Sequence, residues 1–471
     1  MNPILSNLTL SYPINLNDFT NIKHPLEIIY PFIEKPVEEI TFDDIYEELS
    51  NPYYCSTVKI SDDNELFLIF YDELKYEALK KDNVHIPEHA YKFHHLCKSC
   101  VYEYKTLKYV CGQYNKLIYN DDAIKLLNSE LDNVVIQKCY EGTSILVYNH
   151  NDIWNISTRK CLDSNKSFWV KNTSFRSLFE EAMKDKFTFD DLDKNLCYLF
   201  VLVHYKNKNI VNHNINYRNS QNKYKNLVLL CATEKYTYIQ KHVNVPNVEY
   251  PEQYYFKNIK ELLNKLVEFN DRDVAKKLIT WEGYILKIYE GDINNSRFHL
   301  AKLQTKIYQY IMQYKPNISN IYKVYLELYK IDKLNELLPY FYKGPNEIIK
   351  QINTSMKLLT KEILDLYYLT RKHNNKNMYN TLPKTYKKVL YDLHGIYITK
   401  KTNTYKNASD QEEIKIEPIK LHTVYVYLKS LQLDYLVNIF IERQELLKTD
   451  LAKYLNKDEI AIKAYTALLL Q

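Results

Sequence analysis

The spacing of apolar residues changes once along this chain, near residue 303, and that change limits the folds open to it. From about 54 to 312 the apolar residues come in short runs rich in β-branched and aromatic side chains. Examples are "ELFLIFY" (65–71), "SCVYEYKTLKYVCG" (99–112), "NVVIQKCYEGTSILVYN" (133–149), "DIWNIST" (152–158), "CYLFVLVHY" (197–205), "NLVLLCAT" (226–233) and "EGYILKIY" (282–289). Runs of this kind, bounded by polar and turn residues, read as strands. Between them "SFRSLFEEAMKD" (174–185) and "NIKELLNKLVEFN" (258–270) are amphipathic and read as helices. The mixture predicts an α+β domain built on an antiparallel sheet. After about 303, segments such as "IYKVYLELYKIDKLNELLPYFY" and "TVYVYLKSLQLDYLVNIFIERQELLK" carry apolar residues every three to four positions, which predicts helices. The chain therefore divides into an irregular, proline-containing lead-in (1–53), a sheet domain (54–312) and an all-helical C-terminal domain (313–471). The polar stretch 400–418 reads as a loop or linker, and no repeat of fixed period is present.

Composition excludes several classes. With 46% hydrophobic residues a sizeable core is available, and global disorder is excluded. A net charge of +5, from 63 basic and 58 acidic residues, is too mild to argue nucleic-acid binding by itself. The 46 tyrosines accompany heavy use of Lys, Asn and Ile, all with A/T-rich codons, so they report a genome bias and read mainly as amphipathic packing. Eight cysteines without a signal-peptide pattern point to a reducing compartment, and no uncharged run of about 18 apolar residues suggests a membrane span. The expectation is a soluble, intracellular protein that is not secreted.

Only six glycines occur, and three follow a glutamate: Gly142, Gly283 and Gly291. Two of these Glu-Gly pairs open an apolar run, "YEGTSILVY" and "WEGYILKI", and between and after them lie "VLVHYKNKNIV" (201–211) and "AKLQTKIY" (301–308). In this order the motifs resemble the covalent nucleotidyltransferases, most closely the phage-type RNA ligase 1 group, over residues 54–312. "EGTSILV" stands where that family has Lys-x-Asp/Glu-Gly, "EGYILK" resembles its later Glu-Gly-Tyr-Val, and "AKLQTKIY" resembles its Lys-x-Lys before an aromatic. "LCKSCVYEYKTLKYVCGQYNKLIYN" (96–120) resembles the stretch with Arg-Gly and Lys-Phe-Phe-Asn, with Lys98 at the Arg position. Together with "STRKCLDSNKSFW" (157–169) and the helical tail, the chain also resembles proteins of giant DNA viruses.

The resemblance implies an ATP-grasping, ligase-type domain in which a lysine attacks the α-phosphate of ATP and carries the nucleotide, with Mg²⁺ and lysines neutralising the phosphates. It implies nucleotide-binding roles for Lys98, Glu141, Gly142, Lys160, Glu282, Gly283 and Lys302. The glycines are expected to let a nucleotide press against the sheet. The departures concern catalysis. In a strand, residues two apart share a face, so Cys139 stands at the nucleophile's position beside Glu141. Lys138 faces away unless a bulge turns it. Val201 replaces an acid, Gln304 replaces the second lysine of Lys-x-Lys, and Lys98 lacks the bidentate geometry of Arg.

Two readings follow: a degenerate ligase fold of a large DNA virus, kept in host cytoplasm or virion for binding RNA, nucleotide or a protein partner; or an active ATP-dependent RNA ligase using Lys138. No metal site is assigned to the protein's own residues. His94, His95, Cys97, Cys100 and Cys111 have metal-ligand chemistry, but on a strand the Cys pair would face opposite ways. The basic-aromatic segments 214–226 and 371–388 read either as RNA contacts or as surface loops.

Overall fold

The structure, a computed structural model, describes residues 24–113, 116–214, 217, 223–237, 239–289, 298–341, 345–373, 375–407 and 417–455. The chain forms two compact units, Met1–Gln313 and Tyr314–Gln471. No helix among the described residues is long and apolar enough to cross a membrane.

The first unit is mixed α+β with mainly antiparallel sheets. Strands β1 (Ser56–Ile60), β2 (Leu66–Tyr71), β3 (Ser99–Glu103) and β4 (Tyr109–Gly112) pair in chain order. Alternate residues of these strands face two different cores. Phe67, Ile69, Cys100 and Tyr102 pack against helices α1 (Phe42–Leu49), α2 (Glu73–Lys81) and α3 (Glu88–Leu96) and the segment before them. Leu66, Leu68, Phe70 and Val101 face the next sheet. The supposed lead-in is thus built into the unit: Leu26, Ile29, Ile45 and Leu49 are buried. Helix α1 starts where Thr41 and Asp44 form a reciprocal capping box, whose bonds satisfy otherwise orphaned amides.

Where one sheet was expected, two five-stranded sheets follow. Their strands are β5 (Ile118–Tyr119), β6 (Val134–Lys138), β7 (Thr143–His150), β8 (Ile153–Thr158), β11 (Leu196–His204), β12 (Lys225–Glu234), β13 (Gln240–Lys241), β14 (Gln253–Tyr254), β15 (Gly283–Tyr289) and β16 (Phe298–Gln304), with a small hairpin of β9 (Phe168–Val170) and β10 (Thr173–Ser174) apart. The central sheet runs β13-β12-β11-β7-β8 and the other β14-β6-β15-β16-β5, where β16–β5 is parallel and the other described pairs are antiparallel. One face of the central sheet packs on α5 (Phe175–Met183), through Val147, Phe179 and Phe200. The outer face of the other sheet packs on α6 (Ile259–Lys276), through Ile136, Tyr284, Leu286 and Leu262. Helix α4 (Asn120–Lys125) packs beside β16, and α7 (Lys306–Tyr314) follows β16 in the chain.

The second unit is helical: α8 (Ile321–Lys330), α9 (Leu334–Leu337), α10 (Pro345–Tyr367), α11 (Lys376–Thr381), α12 (Lys384–Asn407), α13 (Leu421–Ser430) and α14 (Leu433–Leu446). Ile352, Met356, Leu359, Ile363 and Leu366 recur at three- and four-residue steps and are buried, as an amphipathic helix requires. Arg443 on α14 donates from Nε to Glu362 on α10 at 2.8 Å, a fully desolvated ion pair inside this unit. Two sequence readings shift. Helix α12 continues to Asn407 before the polar stretch leaves the described residues at 408, and α11 with the start of α12 occupies most of 371–388. Of the other basic-aromatic segment, residues 215–216 and 218–222 lie outside the described residues, as does Gly291.

Candidate functional site

The stretch Cys139–Gly142 is a crossover rather than part of one long strand. Lys138 ends β6 opposite Tyr284; the Cys139 amide still donates to the Gly283 carbonyl at 2.9 Å, and the chain then leaves for β7 in the other sheet. Tyr140, mid-crossover, donates to Glu249 at 2.7 Å, which fixes the turn. A Cβ on Gly142 would lie 2.4 Å from the Leu202 carbonyl oxygen; one on Gly283, at φ +154°, would lie 1.9 Å from that of Leu303. Both glycines are therefore required by neighbouring strand backbones. The space a side chain would need at each is filled by protein backbone, which accounts for the glycines without a nucleotide, and Gly142 also lines the cavity described next.

Beside the crossover, between the two five-stranded sheets, lies a cavity of about 290 Å³. Glu141, Glu282 and Lys302 all line it, Glu141 from the crossover, Glu282 from the residue just before β15 and Lys302 from β16. Lys302 Nζ donates to Glu282 Oε1 at 2.7 Å, and Gln304 Nε2 donates to the same oxygen at 3.0 Å. Glu141 Oε2 accepts the amides of Ile210 (2.9 Å) and Val211 (2.7 Å), while Tyr308 donates its hydroxyl to Oε1 at 2.8 Å.

These contacts push the two carboxyls in opposite directions. Burial, then the nearby charge of Glu282, raises Glu141 above the ordinary carboxylate value despite its three donors. Burial also works upward on Glu282, but the charge and hydrogen bond of Lys302, with bonds from Gln304 and Cys139, outweigh it and hold this carboxyl below the ordinary value. Cys139 is buried among these groups; burial and the charge of Glu282 push its thiol well up, so it is no thiolate nucleophile at neutral pH. Lys98 also lines the cavity, and burial followed by repulsion from Lys302 and Arg159 brings its ammonium down to about 8.

The remaining sequence candidates divide. Lys138 touches the cavity wall, yet its strand register sets it on the α6 side with Ile136 and Tyr284, and its ammonium lies 5.0 Å from the ring centres of both Tyr140 and Trp281. Val201 lines the cavity from β11, where an acid was looked for. Lys160 does not line it; it pairs with Glu73 at 3.5 Å, beside the fork Arg159 makes on the same carboxylate. His94 and His95 belong to α3, Cys97 caps that helix and Cys100 lies in β3; the Cys pair expected to face opposite ways meets in one core, thiol against thiol. His94 bonds the Tyr53 carbonyl at 2.7 Å. Among the described residues no cluster of three or more His, Cys, Asp or Glu could hold a metal ion.

Sequence reasoning missed Tyr308 and the role of Gln304. Tyr308 was visible only as the aromatic ending "AKLQTKIY"; its role depends on β16 giving way to α7, which turns Tyr308 back onto Glu141. Gln304, read as a lost lysine, supplies a donor to Glu282 and is itself tied by its backbone amide to Asn120 at 2.9 Å.

No protein-family model matches the chain. It is 25% identical over 286 residues to the "Immediate-early protein ICP-46 homolog" of invertebrate iridescent virus 6, covering 55% of this chain and 57% of that protein. It is 36% identical over 61 residues to the homolog of invertebrate iridescent virus 3, covering 13% and 14%. The chain thus spans little more than half the length of these curated relatives at most. Among solved structures it is similar to two forms of an archaeal ATP-dependent RNA ligase. The form 2 match has TM-score 0.34 at 10% identity and covers 59% of this chain and 68% of that one; the form 1 match has TM-score 0.34 at 8% identity and covers 67% and 78%. The chain is thus an α+β protein whose curated relatives are iridescent-virus proteins, and the solved structures it is similar to include archaeal ATP-dependent RNA ligases.

Proposed function

We propose that this is a ligase-type nucleotidyltransferase fold that binds a nucleotide in the cavity between its two five-stranded sheets but forms no covalent nucleotidyl-lysine. One observation carries the reading. The crossover puts Cys139, not a lysine, against Glu282 and Lys302, while the neighbouring Lys138 rests on Trp281 and Tyr140. In-line attack needs the nucleophile within about 3 Å of phosphorus, and neither group offers that: one is a protonated thiol, the other is held against the rings.

The residues present suit ATP or GTP better than its metal. Lys98 and Lys302 supply positive charge, and the cavity is of the size of small-ligand sites. A Mg²⁺ ion asks for free oxygen ligands, whereas both oxygens of Glu141 and Oε1 of Glu282 already accept protein donors, and Val201 has none to give. No step is therefore assigned to the metal. Loss of catalysis with retention of the pocket fits a protein kept for recognition, and the helical unit is the proposed contact for RNA or a protein partner. The second reading, an active ATP-dependent RNA ligase, rests on Lys138 also touching the cavity.

The test mixes purified protein with ATP or GTP and Mg²⁺ or Mn²⁺, then measures intact mass and, separately, equilibrium binding. Binding without a mass gain is expected. A gain of one nucleotide that vanishes in Lys138→Ala and survives in Cys139→Ala would establish the working ligase instead. Absence of any nucleotide binding would remove the site reading altogether.

A further inference from the structure

Gln113 is 3% exposed, lines the cavity, and among the described residues neither its Nε2 nor its Oε1 has a hydrogen-bond partner. Its backbone is fixed: it follows β4 directly, and its amide donates to the Ser99 carbonyl at 2.9 Å. That bond sets it beside Lys98, the residue preceding Ser99. Lys98 lines the same cavity and has no ion-pair partner among the described residues. A primary amide buried with both polar atoms unmatched destabilises the fold that holds it. Such groups persist where a ligand meets them, because a site built to pair a polar edge rejects ligands that lack it. A primary amide offers N–H donors and a carbonyl acceptor side by side. A phosphate offers acceptors only, so it can satisfy Lys98 and half of Gln113. The base and ribose of a nucleoside carry donors and acceptors together.

We propose that Gln113 is a specificity-determining residue that reads the nucleoside part of a nucleoside phosphate whose anionic group is held by Lys98. This rests on the reading of the cavity as a nucleotide site and names the feature of the ligand it selects.

The experiment measures binding of ATP, GTP and inorganic tripolyphosphate to the full chain, and thermal unfolding without ligand, in wild type, Gln113→Leu and Gln113→Glu. The apolar Leu variant is expected to unfold at a higher temperature than wild type when unliganded, because it removes an unmatched buried amide. It is also expected to lose about tenfold or more in affinity for the preferred nucleotide, with tripolyphosphate binding nearly unchanged. Gln113→Glu keeps the size and removes the donor, and serves if Leu fails to express; its charge weakens every phosphate ligand, so it is read by whether the preferred nucleotide loses more than tripolyphosphate. A lower unfolding temperature for the Leu variant would show the amide to be partnered in the free protein and overturn the proposal. Equal losses for nucleotide and tripolyphosphate, or unchanged nucleotide affinity in both variants, would do the same while leaving the nucleotide site standing. Failure of wild type to bind either nucleotide would refute the site itself.

Discussion

Replacing Glu282 by glutamine removes a charge from the cavity wall with little change of shape. Glu282 and Lys302 lie 2.7 Å apart with side chains only 3% and 15% exposed. At that separation and an effective dielectric constant of about 20 the attraction is roughly 6 kcal/mol, and desolvating two ions costs several kcal/mol each, so the intact pair comes near to balance. The variant loses the attraction but leaves the Lys302 ammonium buried. The amide oxygen still accepts from Lys302 and Gln304, worth about 1 kcal/mol each, and Glu141 is relieved of a neighbouring charge. We expect a net destabilisation of about 3 kcal/mol, the low end for a broken buried pair. Urea unfolding followed by tryptophan fluorescence suits the measurement, since Trp154, Trp169 and Trp281 all belong to the first unit. Adding Lys302→Met should recover stability rather than subtract more, because it removes the stranded charge. The pH dependence has a fixed sign. The Glu282 carboxyl is held below its ordinary value of 4.5, so its contribution is present above that value and is lost as pH falls through the folded one; the gap between wild type and variant closes in acid. A single variant within about 1 kcal/mol of wild type, or a double variant equal to the sum of the singles, would refute the reasoning.

Gly283→Ala is expected to cost about 3 kcal/mol or more, since its Cβ would meet the Leu303 carbonyl at a φ that L-residues rarely adopt; normal stability in denaturant titration would contradict the strand geometry. Tyr308→Phe removes one donor from Glu141 and should cost about 1.5 kcal/mol where that carboxyl is ionised. Because that bond favours the charged form of a carboxyl already raised, the loss is full above the folded value and shrinks as pH falls through it; a pH-independent loss would show the hydroxyl acting elsewhere. Nucleotide affinity should fall as pH rises through about 8, where Lys98 loses its proton in the free protein, and Lys98→Met should bind more weakly at pH 7 and lack that slope in equilibrium dialysis; an unchanged slope would clear Lys98 of the role.

The amphipathic and strand-forming runs were enough to place most strands, α5, α6 and the change to helix after 303, because burial of one face is written into residues two or three to four apart. The same alternation put Cys139 beside Glu141 with Lys138 opposite; Cys139 meets Glu282 and Lys302 while Lys138 lies by Trp281, but Glu141 stands in a crossover between two sheets, where strand alternation does not apply. Helix α1 was missed in a stretch read as an irregular lead-in, although Thr41 and Asp44 in "TFDD" have the spacing of a capping box. Other features had no local signature. That Cys139–Gly142 joins two different sheets depends on β6 pairing with β15, some 150 positions along the chain, and on β7 pairing with β11. The two glycines answer to carbonyls of Leu202 and Leu303, which only that pairing brings near. Lys160 was drawn out of the site by Glu73, and Gln113 was drawn into it by a bond to Ser99. Sequence determined which way each side chain faces within its own element, since that follows from backbone geometry. The tertiary structure decided which faces meet and which charges are paired, since those depend on strand partners brought together by long-range burial.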